Sequence, residues 1–227
     1  MFAALLRAIS MLSVPAMRRV VALSLGLAVA SFAALWLVLA LLFGQHSWFG
    51  WRVFDWLADA LGVAAVLVLS WLLFPAVVTA IMGFFLERVA ATVEALAYPG
   101  RGPARAQPPG EMIRATLRLM GLTIALNLLA VPVYVLLPGI NLFVFLGVNG
   151  YLFGREYFEV VALRRLDLAA ARAVRRRFQG RVFTGGVIIA GLFTVPLVNL
   201  VVPVIATAFM VYVFEDLRRL EAPARVA

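Results

Sequence analysis

The chain has 227 residues, 65% of them hydrophobic and 14% charged, with a mean hydropathy of +1.04 and a formal net charge of +9. Soluble domains run at roughly 45–50% apolar and about 25% charged, so this composition excludes a soluble globular protein and points to an integral membrane protein. With no cysteine there is no disulfide or thiolate chemistry, and the single histidine, His46, gives no basis for a metal site or cofactor.

Every basic residue is an arginine, a group that keeps its charge at any depth or pH. Nucleic-acid binding is one reading of so basic a chain. Here, however, the arginines flank apolar segments, a distribution that fits orientation in a bilayer and not a nucleic-acid partner.

Residues 1–17 carry apolar side chains at Phe2, Leu5, Leu6, Ile9 and Leu12 with only Arg7 charged, the pattern of a short helix lying along the interface. Ser13-Val14-Pro15 ends it, and Pro15 suits the first turn of a new helix, where its missing N–H costs nothing. Residues 20–43 form an uncharged run of 24 residues, about 36 Å as a helix and enough for a hydrocarbon core of about 30 Å. No signal-peptidase-like site follows, so this span is expected to be retained. The segment from Gly44 to Asp59 has one arginine, Arg52, and the interfacial tryptophans Trp48, Trp51 and Trp56. Residues 60–86 return across, with Pro75 a kink and not an end.

Residues 87–118 bring five arginines and a Pro/Gly-rich break from Tyr98 to Gly110. Nineteen of the twenty arginines fall in residues 1–19, 87–118, 155–181 and 218–225, so the positive-inside rule makes that face, and the N-terminus with it, cytoplasmic. Two further uncharged runs, 119–154 and 182–214, have 36 and 33 residues. One crossing needs about 20 residues and two need about 40 plus a turn, so each run reads as a helical hairpin that enters part-way and leaves where it entered. Two tightly packed full spans per run remain the alternative.

Both runs contain the same stretch. Pro138-Gly139-Ile140-Asn141-Leu142-Phe143-Val144 recurs 58 residues on as Pro196-Leu197-Val198-Asn199-Leu200-Val201-Val202, with a proline and an asparagine at apolar depth, where the backbone must turn. These are the expected hairpin tips, and the two runs are parallel copies of one design. Between them, residues 155–181 read as one basic amphipathic helix. The expected fold is therefore all-α: two full transmembrane helices, two hemi-penetrating hairpins and amphipathic surface helices, in a single membrane domain over residues 1–227.

Arg18 and Arg19 sit in the first turn of the first span, where free backbone N–H groups and the helix dipole favour an oxyanion. They also read as ordinary positive-inside anchors, and the residues leave both readings open. Gly154-Arg155-Glu156-Tyr157-Phe158 offers Arg155 beside Glu156 as a charge-paired gate or subunit contact, or simply as the start of a surface helix. Asn127, Asn141, Asn149 and Asn199 each need a partner at apolar depth, as interhelical glue or as pore lining. Gly185-Gly186 reads as close helix packing. No nucleophile–base pair, carboxylate dyad or Walker-type loop is present, which disfavours an enzyme or an ATP-driven pump.

Pro15-Ala16-Met17-Arg18-Arg19, Gly154-Arg155-Glu156-Tyr157-Phe158 and the paired Pro-x-x-Asn-Leu hairpins ending in Val202-Pro203-Val204 resemble the CysZ family of bacterial sulfate permeases over nearly the whole chain. The resemblance implies a homo-oligomeric inner-membrane protein that takes up sulfate for cysteine synthesis. It also implies sulfate held by Arg18 and Arg19 with backbone amides of Ala16 and Met17. Where the family commonly has glycine this chain has Ala16, whose Cβ restricts approach to the backbone. With no motor in the sequence, the expected mechanism is a channel or passive permease, with Arg155, Glu156, Asn141 and Asn199 as candidate pore or gate residues. A channel for another oxyanion is one alternative. The other is a non-transporting scaffold whose basic segment binds anionic membrane lipid.

Overall fold

The computed structural model describes residues 1–43 and 52–221, which form nine α-helices. His46, Trp48 and Trp51 lie outside the described residues, as does the side chain of Trp56. Residues 18–85 make one compact unit, and residues 1–17 together with 86–227 make another.

The first unit is built from α2 (Pro15–Phe43) and α3 (Arg52–Gly83). Val14 is extended, at φ −69° and ψ 130°, the conformation that a following proline imposes. Helix α2 then begins at Pro15, as its sequence predicts. Pro75 lies inside α3 without ending it. The helices meet where the Trp36 indole donates to Ser70 Oγ at 3.0 Å and where the Phe32 and Phe74 rings lie 5.8 Å apart. A paired indole and hydroxyl suit a surface with no water to satisfy either group.

In the second unit α9 (Val202–Glu221) is the centre. Every residue from Val202 to Glu215 is buried, wrapped by α1 (Phe2–Ser10), α4 (Leu86–Ala97), α6 (Asn141–Ala162) and α8 (Gln179–Phe193). Helix α1 buries Ala4 and Ala8 in this unit and leaves Phe2, Leu6 and Ile9 uncovered, so it keeps one apolar face for the surroundings, as an interfacial helix requires.

Helices α6 and α8 are in extensive contact. Glycine is required there: a Cβ at Gly154 would lie 2.6 Å from the carbonyl oxygen of Val182, and one at Gly186 would collide with the Gly150 carbonyl. The spacing Gly150-x-x-x-Gly154 against Gly186 lets two backbones touch, the packing available to helices when solvent offers no hydrophobic drive between them, while Gly185 faces Met210 and Phe209 of α9.

The repeated stretch sits where the chain turns. Helix α5 (Pro109–Leu136) is followed by a 3-10 turn over Pro138–Ile140 and then by α6; α8 is followed by a 3-10 turn over Val198–Leu200 and then by α9. The arms differ, however. The first pair has 28 and 22 residues, the second 15 and 20.

Two further differences from the sequence reading follow from charge. Helix α5 starts at Pro109 and not at residue 119, because Arg114 and Arg118 continue the helix and do not end it. Its 28 residues span about 42 Å, and among the described residues three helices are long and apolar enough to cross a membrane: Pro15–Leu41, Ala60–Gly83 and Pro109–Leu136. Nor is residues 155–181 one amphipathic helix. Residues 155–162 complete α6 and are largely buried, a turn follows, and Asp167 Oδ1 accepts from the Ala170 amide at 2.7 Å to cap the short α7 (Leu168–Arg177). An aspartate at the N-cap outweighs the continuous apolar periodicity through it.

Candidate functional site

Ala16, Met17, Arg18 and Arg19 occupy the first turn of α2 as expected. Ala16, Arg18 and Arg19 are exposed, and Met17 is buried. The backbone is less open than the resemblance implies, because the Met17 amide already donates to the Val14 carbonyl at 3.0 Å. The Ser13 hydroxyl turns back to the Ser10 carbonyl at 2.7 Å and does not cap α2. What faces outward at this helix start is the pair of guanidinium groups, two adjacent permanent cations at the positive end of a long dipole.

The candidate gate has different partners from those expected. Arg155 is buried and its Nε donates to Glu159 Oε1 at 2.9 Å, one helical turn on, while Arg175 Nε approaches the same oxygen at 3.9 Å. Glu156 is half-buried and forms no part of this triad. Side chains at i and i+4 share a helix face whereas neighbours in sequence diverge, so Glu159 was the partner to choose. The triad links α6 to α7 beside Gln179, at the start of α8, and the narrow space along it is lined by Tyr151, Arg155, Arg175, Gln179, Val182 and Phe183.

The asparagines act locally. Asn141 Nδ2 donates to the Tyr134 carbonyl at 3.3 Å across the first tip, and its Oδ1 is buried with no partner among the described residues. Asn127 and Asn149 donate to the carbonyls four residues back, Thr123 and Phe145, at 2.8 and 3.0 Å. Asn199 lies half-buried in the second tip, its backbone N–H bonded to Val195 at 3.0 Å.

A second polar cluster, absent from the sequence reading, lies where α4, the 98–108 segment and the α6–α7 turn meet. Glu94, buried in α4, takes Arg164 on both oxygens, at 3.2 Å from Nε and 3.0 Å from Nη2. Arg165 Nη2 reaches the same carboxylate at 2.5 Å and Arg164 also pairs with Glu87. Arg165 Nη1 holds the Gly102 carbonyl at 2.6 Å; Arg105 bonds Glu111 at 2.7 Å and its amide bonds the Arg164 carbonyl at 2.8 Å. Arg101 pairs with Glu215, buried at the end of α9. The only signal in the sequence was the doublet Arg164-Arg165 between apolar helices. Its acidic partners lie some seventy residues away and no local spacing reveals them.

Among the described residues, nine α-helices, three of them membrane-length and apolar, define an all-α membrane protein. Residues 4–203 match the family described as sulfate transporter CysZ/etoposide-induced protein 2.4, and the chain belongs to that family. No curated protein sequence matches the chain.

Proposed function

We propose that this protein carries sulfate across the bacterial inner membrane as a channel or passive permease supplying cysteine synthesis. The carrying observation is the family match over residues 4–203, which includes the Arg18-Arg19 pair exposed at the start of a membrane-length apolar helix. A dianion entering an apolar medium needs fixed positive charge, and guanidinium groups at a helix N-terminus supply it without competing protonation. In this reading Arg18 and Arg19 gather sulfate with the exposed first turn around Ala16, and the N-terminus faces the cytoplasm with the arginine-rich turns. The Arg155–Glu159–Arg175 triad takes the gating part first assigned to Arg155 with Glu156.

The apolar windows of α3 and α5 are each only 6% buried within the chain. One subunit of this size encloses little, so the reading includes a homo-oligomer in lipid.

The test is uptake of radiolabelled sulfate into proteoliposomes. Wild-type protein gives flux above empty vesicles, and Arg18→Ala with Arg19→Ala lowers it about tenfold or more, the worth of losing a charge-assisted contact. Flux equal to empty vesicles overturns the reading, and stronger flux of thiosulfate, molybdate or phosphate reassigns the anion.

A further inference from the structure

A concavity of about 370 Å³ lies between the 98–108 segment, the α6–α7 turn and the end of α9, lined by Arg101, Arg105, Arg164, Arg165 and Arg218 with Gly102 and Pro103. Among the described residues, no carboxylate lines it. The acidic partners Glu94, Glu111 and Glu215 hold these arginines from outside the lining. Arg218 has one ion-pair approach among the described residues, 3.8 Å to Glu215, and lies 5.8 Å from the Phe214 ring centre. Arg165 Nε is buried with no hydrogen-bond partner among the described residues. Arg101 lies 5.8 Å from the Tyr98 ring centre, which steadies it further.

We infer that this concavity is a second anion site, separate from Arg18 and Arg19, that binds a phosphate ester. Five guanidinium groups converging on one space, several of them pre-oriented by ion pairs, match the planar, bidentate recognition of phosphate oxygens. Pre-orientation reduces the ordering cost of binding. The volume falls in the range of about 300–1,000 Å³ that holds small organic ligands and exceeds what one tetrahedral oxyanion fills. The carboxylates behind the arginines keep the empty pocket from being a bare cluster of like charge, so it does not depend on a ligand for folding.

The ester can be soluble, such as a nucleotide, or the headgroup of an anionic phospholipid, and the experiment separates the two. Full-length protein in neutral detergent is titrated with ADP by calorimetry, against sodium chloride at matched ionic strength. It is also reconstituted in nanodiscs of phosphatidylcholine with or without cardiolipin, and thermal unfolding is followed. The variants are Arg105→Gln with Arg218→Gln, and Arg88→Gln, an exposed arginine of α4 outside the lining, as a control for charge. The expected result is saturable binding of ADP, or a cardiolipin-dependent rise in melting temperature. That signal is weakened about tenfold in the double variant and kept in Arg88→Gln. ADP binding identifies a soluble ligand, and a response to cardiolipin alone identifies a lipid. No response to either, or an equal response in the double variant, overturns the inference. Sulfate flux is not the readout, so the result stands apart from the transport reading.

Discussion

The two hairpins carry the same tip and have opposite surroundings. In the first, α5 is long and uncovered, with Leu128, Leu129, Val135 and Leu136 exposed, and even the start of α6 shows Leu142 and Phe143. In the second, α8 is short and α9 is enclosed on all sides, with Phe209, Met210 and Phe214 fully buried. Both pairs contain long apolar runs, so hydropathy does not distinguish a helix meant for lipid from one meant for protein. The difference lies in what can approach: glycines at 150, 154 and 186 admit a neighbouring backbone, and α9 is wrapped by four helices.

That contrast is open to direct test. Phe209→Ala removes a ring enclosed by protein and leaves a cavity, at an expected cost of about 3–5 kcal/mol. Phe143→Ala, at a site 73% exposed, should change stability by about 0.5 kcal/mol or less. Thermal unfolding in detergent, read by loss of monodisperse protein, reports both. Similar losses at the two sites would mean that the arms of the first hairpin are as enclosed as those of the second.

The contact joining the hairpins comes next in size. Gly186→Ala places a methyl group against the Gly150 carbonyl, and the backbones must part, for about 1–3 kcal/mol or more. Gly147→Ala on the facing helix, α6, meets nothing within 4 Å and should be neutral or slightly stabilising through helix propensity. A Gly186→Ala protein as stable as wild type would show that α6 and α8 do not touch along this line.

The limits of legibility have the same origin. The turns at Pro138 and Pro196 and the start of α2 at Pro15 were readable because proline and asparagine act on their own backbone. The start of α5 was not, since a charged turn of a helix looks, in a hydropathy count, like the end of a span. Glu159 as partner of Arg155 is legible from helix geometry, since i and i+4 share a face whereas the adjacent Glu156 points away. Glu94 with Arg164 and Arg165 was beyond reach, because only the tertiary fold brings α4 to the α6–α7 turn.

The smallest predicted effect concerns the tips themselves. At the position where the first tip has Gly139, the second has Leu197, and it alone among described non-glycine residues has positive φ, at 64° with ψ −42°. The Val198 amide donates to the Pro196 carbonyl at 2.8 Å, so these three residues close a γ-turn of the rare, strained kind. The leucine side chain is 79% exposed and returns little packing within the chain for that strain. Strained backbone of this sort costs on the order of 1–3 kcal/mol and persists where surrounding structure holds it. Leu197→Gly should therefore raise the unfolding temperature, by an amount near the lower end of that range because glycine also gains freedom in the unfolded chain. The reverse change in the first tip, Gly139→Leu, puts a Cβ where no neighbouring atom lies within 4 Å and at no positive φ, so it should be nearly neutral. If Leu197→Gly instead destabilises the protein, the exposed leucine has a partner outside this chain, and the second tip is held by lipid or by another subunit.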